Sequence, residues 1–210
     1  MNNGAPLLRI ENLVVDFITF DGKARVLNGI NLDLHQGDVL GLVGESGCGK
    51  TVTTMAITRL ISCPPAKVVA GKALFKGRDL LSLSKKEIHD VRSREIAMVF
   101  QDPSSNLNPL SSIGRQVTDT ILCRMGRGSV LKLSPFGSLL PAARKDRKAA
   151  RDKGIKLLEK VGIENPIDLY SLYPFQLSGG MKQRTLIAMA LGGDPSLLIA
   201  DEPTTDLDVS

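Results

Sequence analysis

The sequence predicts an α/β protein built on a parallel sheet, and three observations carry that prediction. First, the apolar run Val39–Val43 leads into Gly44-Glu45-Ser46-Gly47-Cys48-Gly49-Lys50-Thr51, and then into Val52–Leu60, which can be a helix. That is a strand–loop–helix succession. Second, apolar strand runs recur near residues 40, 97 and 198, far enough apart for crossover connections. Third, the stretch between the last two runs, about 102–190, reads as mostly helical.

Taken in order, the N-terminal part alternates with period two. Leu8, Ile10, Leu13, Val15 and Phe17 mark one strand, with an irregularity near Asn12. Ile30, Leu32 and Leu34 mark another, and Asp21-Gly22 is the turn between them. The strand at Val39–Val43 and the helix at Val52–Leu60 follow, with Pro64-Pro65 ending the helix. Val68–Phe75 is a further strand and Lys76–Asp79 a turn. Ile96–Phe100 is a buried strand. Asp102–Ser112, rich in Pro, Ser and Asn, is a loop. Ile113–Met125 is a helix and Gly126–Pro141 an irregular insertion. Ala142–Val161 is a charged amphipathic helix with Ile155, Leu158 and Val161 on one stripe. Met181–Leu191 is a helix, and Leu197–Ala200 a buried strand ending in Asp201-Glu202.

Composition narrows the function classes. The chain has 210 residues, 42% hydrophobic and 23% charged, as folded domains do. No apolar run reaches the length of a membrane span, and Met1–Pro6 lacks the regions of a signal peptide, so a cytosolic location is expected. Cys48, Cys63 and Cys123 lack metal-site spacing and read as free thiols, Cys48 inside the glycine-rich loop. The net charge of +5 is uneven, with basic residues gathered between Arg124 and Lys160. Phe136 is alone there, so a stacking platform for single strands is missing. A solvated helix face is the expectation, ahead of lipid or partner contact, with nucleic acid last.

The loop at 44–51 can hold the phosphates of a nucleotide. Its glycines let backbone N–H groups curl around an anion, and the helix behind adds its positive end. Lys50 can reach β- and γ-phosphates, and the Thr51 hydroxyl can ligate Mg²⁺. Asp201, at the end of an apolar strand, can hold Mg²⁺ through its water shell. Glu202 can polarise an attacking water. Leu177–Arg184 is a second anion site, with Ser178 as helix N-cap and Gly179 and Gly180 baring N–H groups. One triphosphate does not need both sites from one molecule, so the economical expectation is a dimer.

These residues resemble the nucleotide-binding subunit of ATP-binding-cassette transporters. The loop at 44–51 is similar to the family's Walker A, Leu177–Arg184 to its signature motif, Leu197–Glu202 to Walker B, Gln101 to the Q-loop and Thr205–Asp208 to the D-loop. Phe17 matches the aromatic under the adenine ring. Gln101-Asp102-Pro103 with Leu107-Asn108-Pro109, Tyr173-Pro174 and Ala200–Thr205 resemble the dipeptide, oligopeptide and nickel importer branch, and Asp206 and Phe175 its nickel-type members.

The resemblance implies one P-loop cassette over 1–210, with an N-terminal antiparallel β subdomain, a parallel core sheet and an inserted helical subdomain at about 102–190. It implies ATP and Mg²⁺ as cofactors. Phe17, Gly44, Glu45, Ser46, Gly47, Cys48, Gly49, Lys50 and Thr51 would bind one nucleotide, and Ser178, Gly179 and Gly180 the γ-phosphate on a partner. Thr51, Gln101 and Asp201 would face the metal, with Glu202 and Gln101 catalytic. The implied activity is ATP hydrolysis coupled to import of a peptide- or nickel-type solute. The implied partners are a second ATP-binding subunit, identical or not, permease subunits and, indirectly, an extracytoplasmic binding protein. The place of work is the cytoplasmic face of the membrane. Two other classes stand beside it: a soluble cassette ATPase not tied to transport, and a cassette that binds without hydrolysing. The family's switch histidine lies one strand beyond the D-loop, and the sequence given ends at Ser210. The chain is therefore read as a C-terminally truncated piece that binds ATP weakly and hydrolyses it poorly.

Overall fold

The computed structural model describes residues 4–20, 22–125 and 141–202. The chain divides into two compact units, Met1–His89 and Asp90–Ser210. Asp21 of the expected turn, most of the expected insertion at 126–140, and the D-loop residues Thr205–Asp208 lie outside the described residues.

In the first unit, β1 (Leu8–Thr19) pairs antiparallel with β2 (Gly22–Leu34) on one side and β3 (Ala66–Phe75) on the other. The two-residue β4 (Arg78–Asp79) adds to β3. Leu8, Ile10, Leu13 and Val15 of β1 are buried, as are Leu27 of β2 and Ala73 and Phe75 of β3. This follows from the period-two pattern, which sends alternate side chains to one face. The irregularity expected near Asn12 is a bulge. Registers with both neighbours shift there, and Asn12 has φ 48°. Its N–H donates to Asn31 Oδ1 at 2.9 Å, so the unpaired backbone group finds a side chain.

In this unit one expectation fails and one element shifts its ends. Val39–Val43 is not a strand. A strand needs a neighbour for its N–H and C=O groups, and this run joins no ladder among the described residues. Its apolar side chains stay open to solvent, with Val39 100% and Val43 98% exposed. The helix α1 (Lys50–Ile57) starts and stops earlier than expected. Arg59, at φ 53°, ends it well before Pro64-Pro65.

The helix α2 (Lys85–Arg94) was not expected. A capping box starts it: Ser84 N–H donates to Glu87 Oε2 at 2.8 Å, and Glu87 N–H donates to Ser84 Oγ at 3.3 Å.

The second unit holds β5 (Ile96–Val99), α3 (Pro103–Asn106), α4 (Ile113–Arg124), α5 (Pro141–Lys160), α6 (Pro166–Leu169), a 3₁₀ turn (Pro174–Gln176), α7 (Gly179–Leu191) and β6 (Leu197–Ala200). The short α3 replaces the expected irregular loop, because the Asp102 carboxylate accepts from Ser104 N–H at 2.8 Å and caps it. Val117, Ile121, Ala150, Leu158, Leu169 and Ala188 form the helical core. Leu158 is fully buried on its predicted stripe.

β5 and β6 are parallel neighbours, and Ala190 with Ile187 of α7 packs on Ala97 and Val99. This two-stranded ladder is the parallel pairing found among the described residues; the run near residue 40 takes no part in a ladder.

Gly71 faces the β1 bulge with φ +100°, and a β-carbon there would meet Asn12 O and Leu13 Cα at 2.6 Å. Gly71→Ala should destabilise the protein by about 2–3 kcal/mol. Urea unfolding followed by circular dichroism measures this; an unchanged midpoint would contradict the packing described.

Candidate functional site

The glycine-rich loop precedes α1, whose N-cap is Gly49 in a left-handed conformation, φ 98°. A β-carbon there would meet Leu27 Cδ2 at 2.8 Å, so only glycine closes this turn without displacing β2. No side chain caps α1, and no acidic residue occupies its first turn. Its first turn therefore carries no acidic side chain of its own to offset the positive end of the helix. Lys50 folds back over the loop: its Nζ donates to Gly44 O at 2.7 Å and Glu45 O at 2.8 Å, and lies 3.7 Å from Cys48 Sγ. An ammonium held by carbonyls at the mouth of a positive helix end is a cation poised for an incoming anion. Ser46, Gly47 and Thr51 are exposed.

Phe17 lies on β1, half-buried, opposite Ala24 of β2 and Ala66 of β3. Small neighbours on both sides leave room around its ring. Asp16, one residue before, is fully buried and ties the hairpin together. Its carboxylate accepts from Arg25 Nε at 3.0 Å and pairs with Lys23 Nζ at 2.5 Å. The hydrogen bonds from Arg25 first and Lys23 second hold the Asp16 carboxyl below the usual range.

In the second unit, register decides which residues meet. Val99 pairs with Ala200, and Asp201 N–H donates to Val99 O at 2.9 Å. Two residues beyond that pair, Gln101 and Glu202 emerge side by side. Gln101 Nε2 donates to Glu202 Oε2. Glu202 has φ 47°, so the chain turns sharply after the strand. Asp201 is half-buried. Thr51, Gln101 and Asp201 each carry an oxygen of a kind that ligates Mg²⁺, from a hydroxyl, a carboxamide and a carboxylate. Gln101 and Asp201 sit at the ends of adjacent strands, and Thr51 belongs to the other unit. No group of three His, Cys, Asp or Glu residues gathers as a metal cluster among the described residues.

Ser178 caps α7, as its residue type predicts, with Oγ accepting from Met181 N–H at 3.3 Å. Gly179 and Gly180 begin the helix, and no acidic residue stands in its first turn. Arg184 Nη1 donates to Gly162 O at 2.6 Å, and Lys182 Nζ to Ser104 Oγ at 3.1 Å. Both cations tie α7 to neighbouring segments of the second unit. Sequence reasoning missed the capping role of Asp102. The backbone N–H of Ser104, then the Ser105 hydroxyl, keep its carboxyl below the ordinary range. The signal was present as Asp-Pro, an N-cap followed by proline at the first helical position.

With folded values below the unfolded one, these carboxylates add stability above about pH 4 and lose it as pH falls through the depressed values. Asp16→Asn should flatten the acid side of the stability profile without removing the share of Asp33 and Asp102, also lowered. Thermal melting across that acid range checks it; an unchanged slope would deny Asp16 its role.

Comparison with known proteins agrees with this geometry. Residues 27–205 match the family described as ABC transporter. The chain is 43% identical over 204 residues to the oligopeptide transport ATP-binding protein OppD of Bacillus subtilis, covering 97% of this chain and 52% of that protein. It is 41% identical to the dipeptide transport ATP-binding protein DppD of Escherichia coli, covering 97% and 57%. The chain thus spans about half the length of the curated relatives it matches. Among solved structures, the dimeric structure of MJ0796, a bacterial ABC transporter cassette, has a TM-score of 0.77 at 25% identity, covering 96% of this chain and 76% of that one. A post-hydrolysis dimer of the same cassette bound to ADP and Pi has a TM-score of 0.73 at 26% identity, covering 96% and 76%.

Proposed function

We propose, from the premise that this chain belongs to the ABC transporter family, that it is the ATP-binding part of a subunit powering peptide import. The observation that carries the reading is the Lys50 ammonium folded over the glycine-rich loop that leads into α1 through the left-handed Gly49. In this reading Phe17 stacks on adenine. Gly44, Glu45, Ser46, Gly47, Cys48 and Gly49 supply the phosphate cradle, and Lys50 exchanges its loop carbonyls for phosphate oxygens. Thr51, Gln101 and Asp201 would hold Mg²⁺, which supplies charge neutralisation on the phosphates when bound. Glu202 accepts a proton from the attacking water once Gln101 releases it. Ser178, Gly179 and Gly180 of one copy address the terminal phosphate on a second ATP-binding subunit. ATP then acts as a ligand that favours the closed pair over the open one.

The relatives named above are oligopeptide and dipeptide transport ATP-binding proteins, so a peptide is the proposed cargo class; the nickel hint from Phe175 and Asp206 is the narrower alternative. The proposed organisation is a single cassette with a helical insertion at about 102–190. Among the described residues no helix is long and apolar enough to cross a membrane. The proposed partners are permease subunits, fed by an extracytoplasmic binding protein, with this chain peripheral on the cytoplasmic side.

Lys50→Ala should weaken binding of a fluorescent ATP analogue by about 30- to 150-fold, the loss of roughly 2–3 kcal/mol of charge-assisted contact. Glu202→Gln should keep binding and lower turnover by about 100-fold or more. Partnership in trans has its own test in full-length subunits. Lys50→Ala and Ser178→Arg copies, each inactive alone, should regain ATPase activity when mixed, because one composite site is then intact. Activity absent from the mixture, with both variants folded and paired, would sink the shared site.

A further inference from the structure

A hollow of about 520 Å³ opens between α4, α5 and the segment around α6, lined by Arg115, Thr118, Arg147, Lys148, Arg151 and Tyr170, with Ser171 and Ile167 at its edge. None of the residues assigned to the nucleotide lines it. Its floor is built. The Tyr170 ring is gripped between two buried glycines: a β-carbon at Gly114 would meet Tyr170 Cδ1 at 2.1 Å, and one at Gly154 would meet its hydroxyl oxygen at 2.1 Å. Tyr170 Oη donates to Arg151 O at 3.2 Å, and the Arg151 guanidinium lies over the ring, 5.7 Å from its centroid.

The charge in this hollow is not balanced. Arg115 and Arg147 share one carboxylate, Asp119, at 3.7 and 3.0 Å. Lys148 and Arg151 line the same hollow, are exposed, and have no carboxylate ion pair among the described residues. Four cationic side chains thus line one concave wall, answered among the described residues by the shared Asp119 and by Asp152, whose charge also reaches Tyr170. The excess extends along α5. Arg144, Lys145, Arg147, Lys148, Arg151, Lys153, Lys156 and Lys160 stand there against Asp146, Asp152 and Glu159. That surplus equals the net charge of the whole chain. Three guanidinium forks, of Arg115, Arg147 and Arg151, beside the Lys148 ammonium match a compact polyoxyanion better than they match single carboxylates. A solvated helix face would present such cations outward and scattered, not around a shaped floor.

We infer that this hollow is a binding site for a phosphate group, carried either by free phosphate or by the headgroup of an anionic lipid. It does not depend on the transport reading. The exposed Ile167 at its rim, 64% accessible, would meet the glycerol and acyl portion in the lipid case.

The chain has no tryptophan and two tyrosines, Tyr170 and Tyr173. In a Tyr173→Phe, Lys50→Ala background, Tyr170 is the sole emitter and the nucleotide loop is disabled. Titrating inorganic phosphate against chloride at matched ionic strength should change Tyr170 emission saturably. Lys148→Gln with Arg151→Gln should shift the midpoint by about tenfold or more. Lys148→Glu, an exposed change with no ion pair to lose among the described residues, serves if the double variant does not fold. A second arm uses phosphatidylglycerol vesicles against pure phosphatidylcholine. Response to phosphate alone assigns a free anion, response to phosphatidylglycerol alone a headgroup, and response to both the phosphate group whatever carries it. A linear or absent response in both arms, or one unchanged by the substitutions, overturns the site.

Discussion

The parallel register between β5 and β6 is the constraint on which the chemistry of the second unit depends. Four residue pairs, from Ile96 with Leu197 to Val99 with Ala200, set the ladder. Because side-chain direction has period two, that register decides what stands opposite what beyond the strand ends. A slip of one residue would set Gln101 against Asp201 or Pro203 instead of Glu202. The Asp201 N–H bond to Val99 O extends the same pairing and fixes the acid as the chain leaves the sheet. The contact between the Gln101 amide and the Glu202 carboxylate is thus a product of backbone pairing. It sets the proposed base against a neutral donor.

Much of this was legible in the amino-acid order, for identifiable reasons. The β1 strand was readable because Leu8 and Ile10, then Leu13 and Val15, alternate, and the break at Asn12 was visible because the apolar phase slips by one residue there. Ser178 announced α7 because a hydroxyl residue before two glycines is a cap. Val39–Val43 was misread because an apolar run shows a wish for burial, whereas a strand also needs a partner edge, which is a property of the fold. The helix α2 was overlooked although Ser84 and Glu87 spelled its capping box, since Lys85, Lys86 and His89 diluted the apolar period. The loop at 44–51 could be read from its spacing, but the resting place of the Lys50 ammonium could not, because two backbone carbonyls hold it.

Electrostatics divides the molecule's tasks. Near the hairpin, cations serve one buried carboxylate, so Asp16, Lys23 and Arg25 close on one another. At the starts of α1 and α7 the positive field comes from backbone N–H groups, and no acidic side chain in either first turn cancels it. Along α5 the cations outnumber their partners. The first arrangement is internal structure. The second is suited to phosphates approached by backbone, and the third to anions gripped by side chains.

The β5–β6 ladder also has a temporal consequence. Val99 and Ala200 meet only after about a hundred intervening residues are gathered in, and closing so long a loop carries an entropic cost with no reward until the strands touch. The contacts of α4, α5 and α7 are nearer in sequence and can form beforehand. The helical core should therefore assemble early and draw the two strand ends together late. In pulsed hydrogen exchange during refolding, amide protection at Ile121 and Leu158 would precede that at Asp201; the reverse order would contradict this sequence of events.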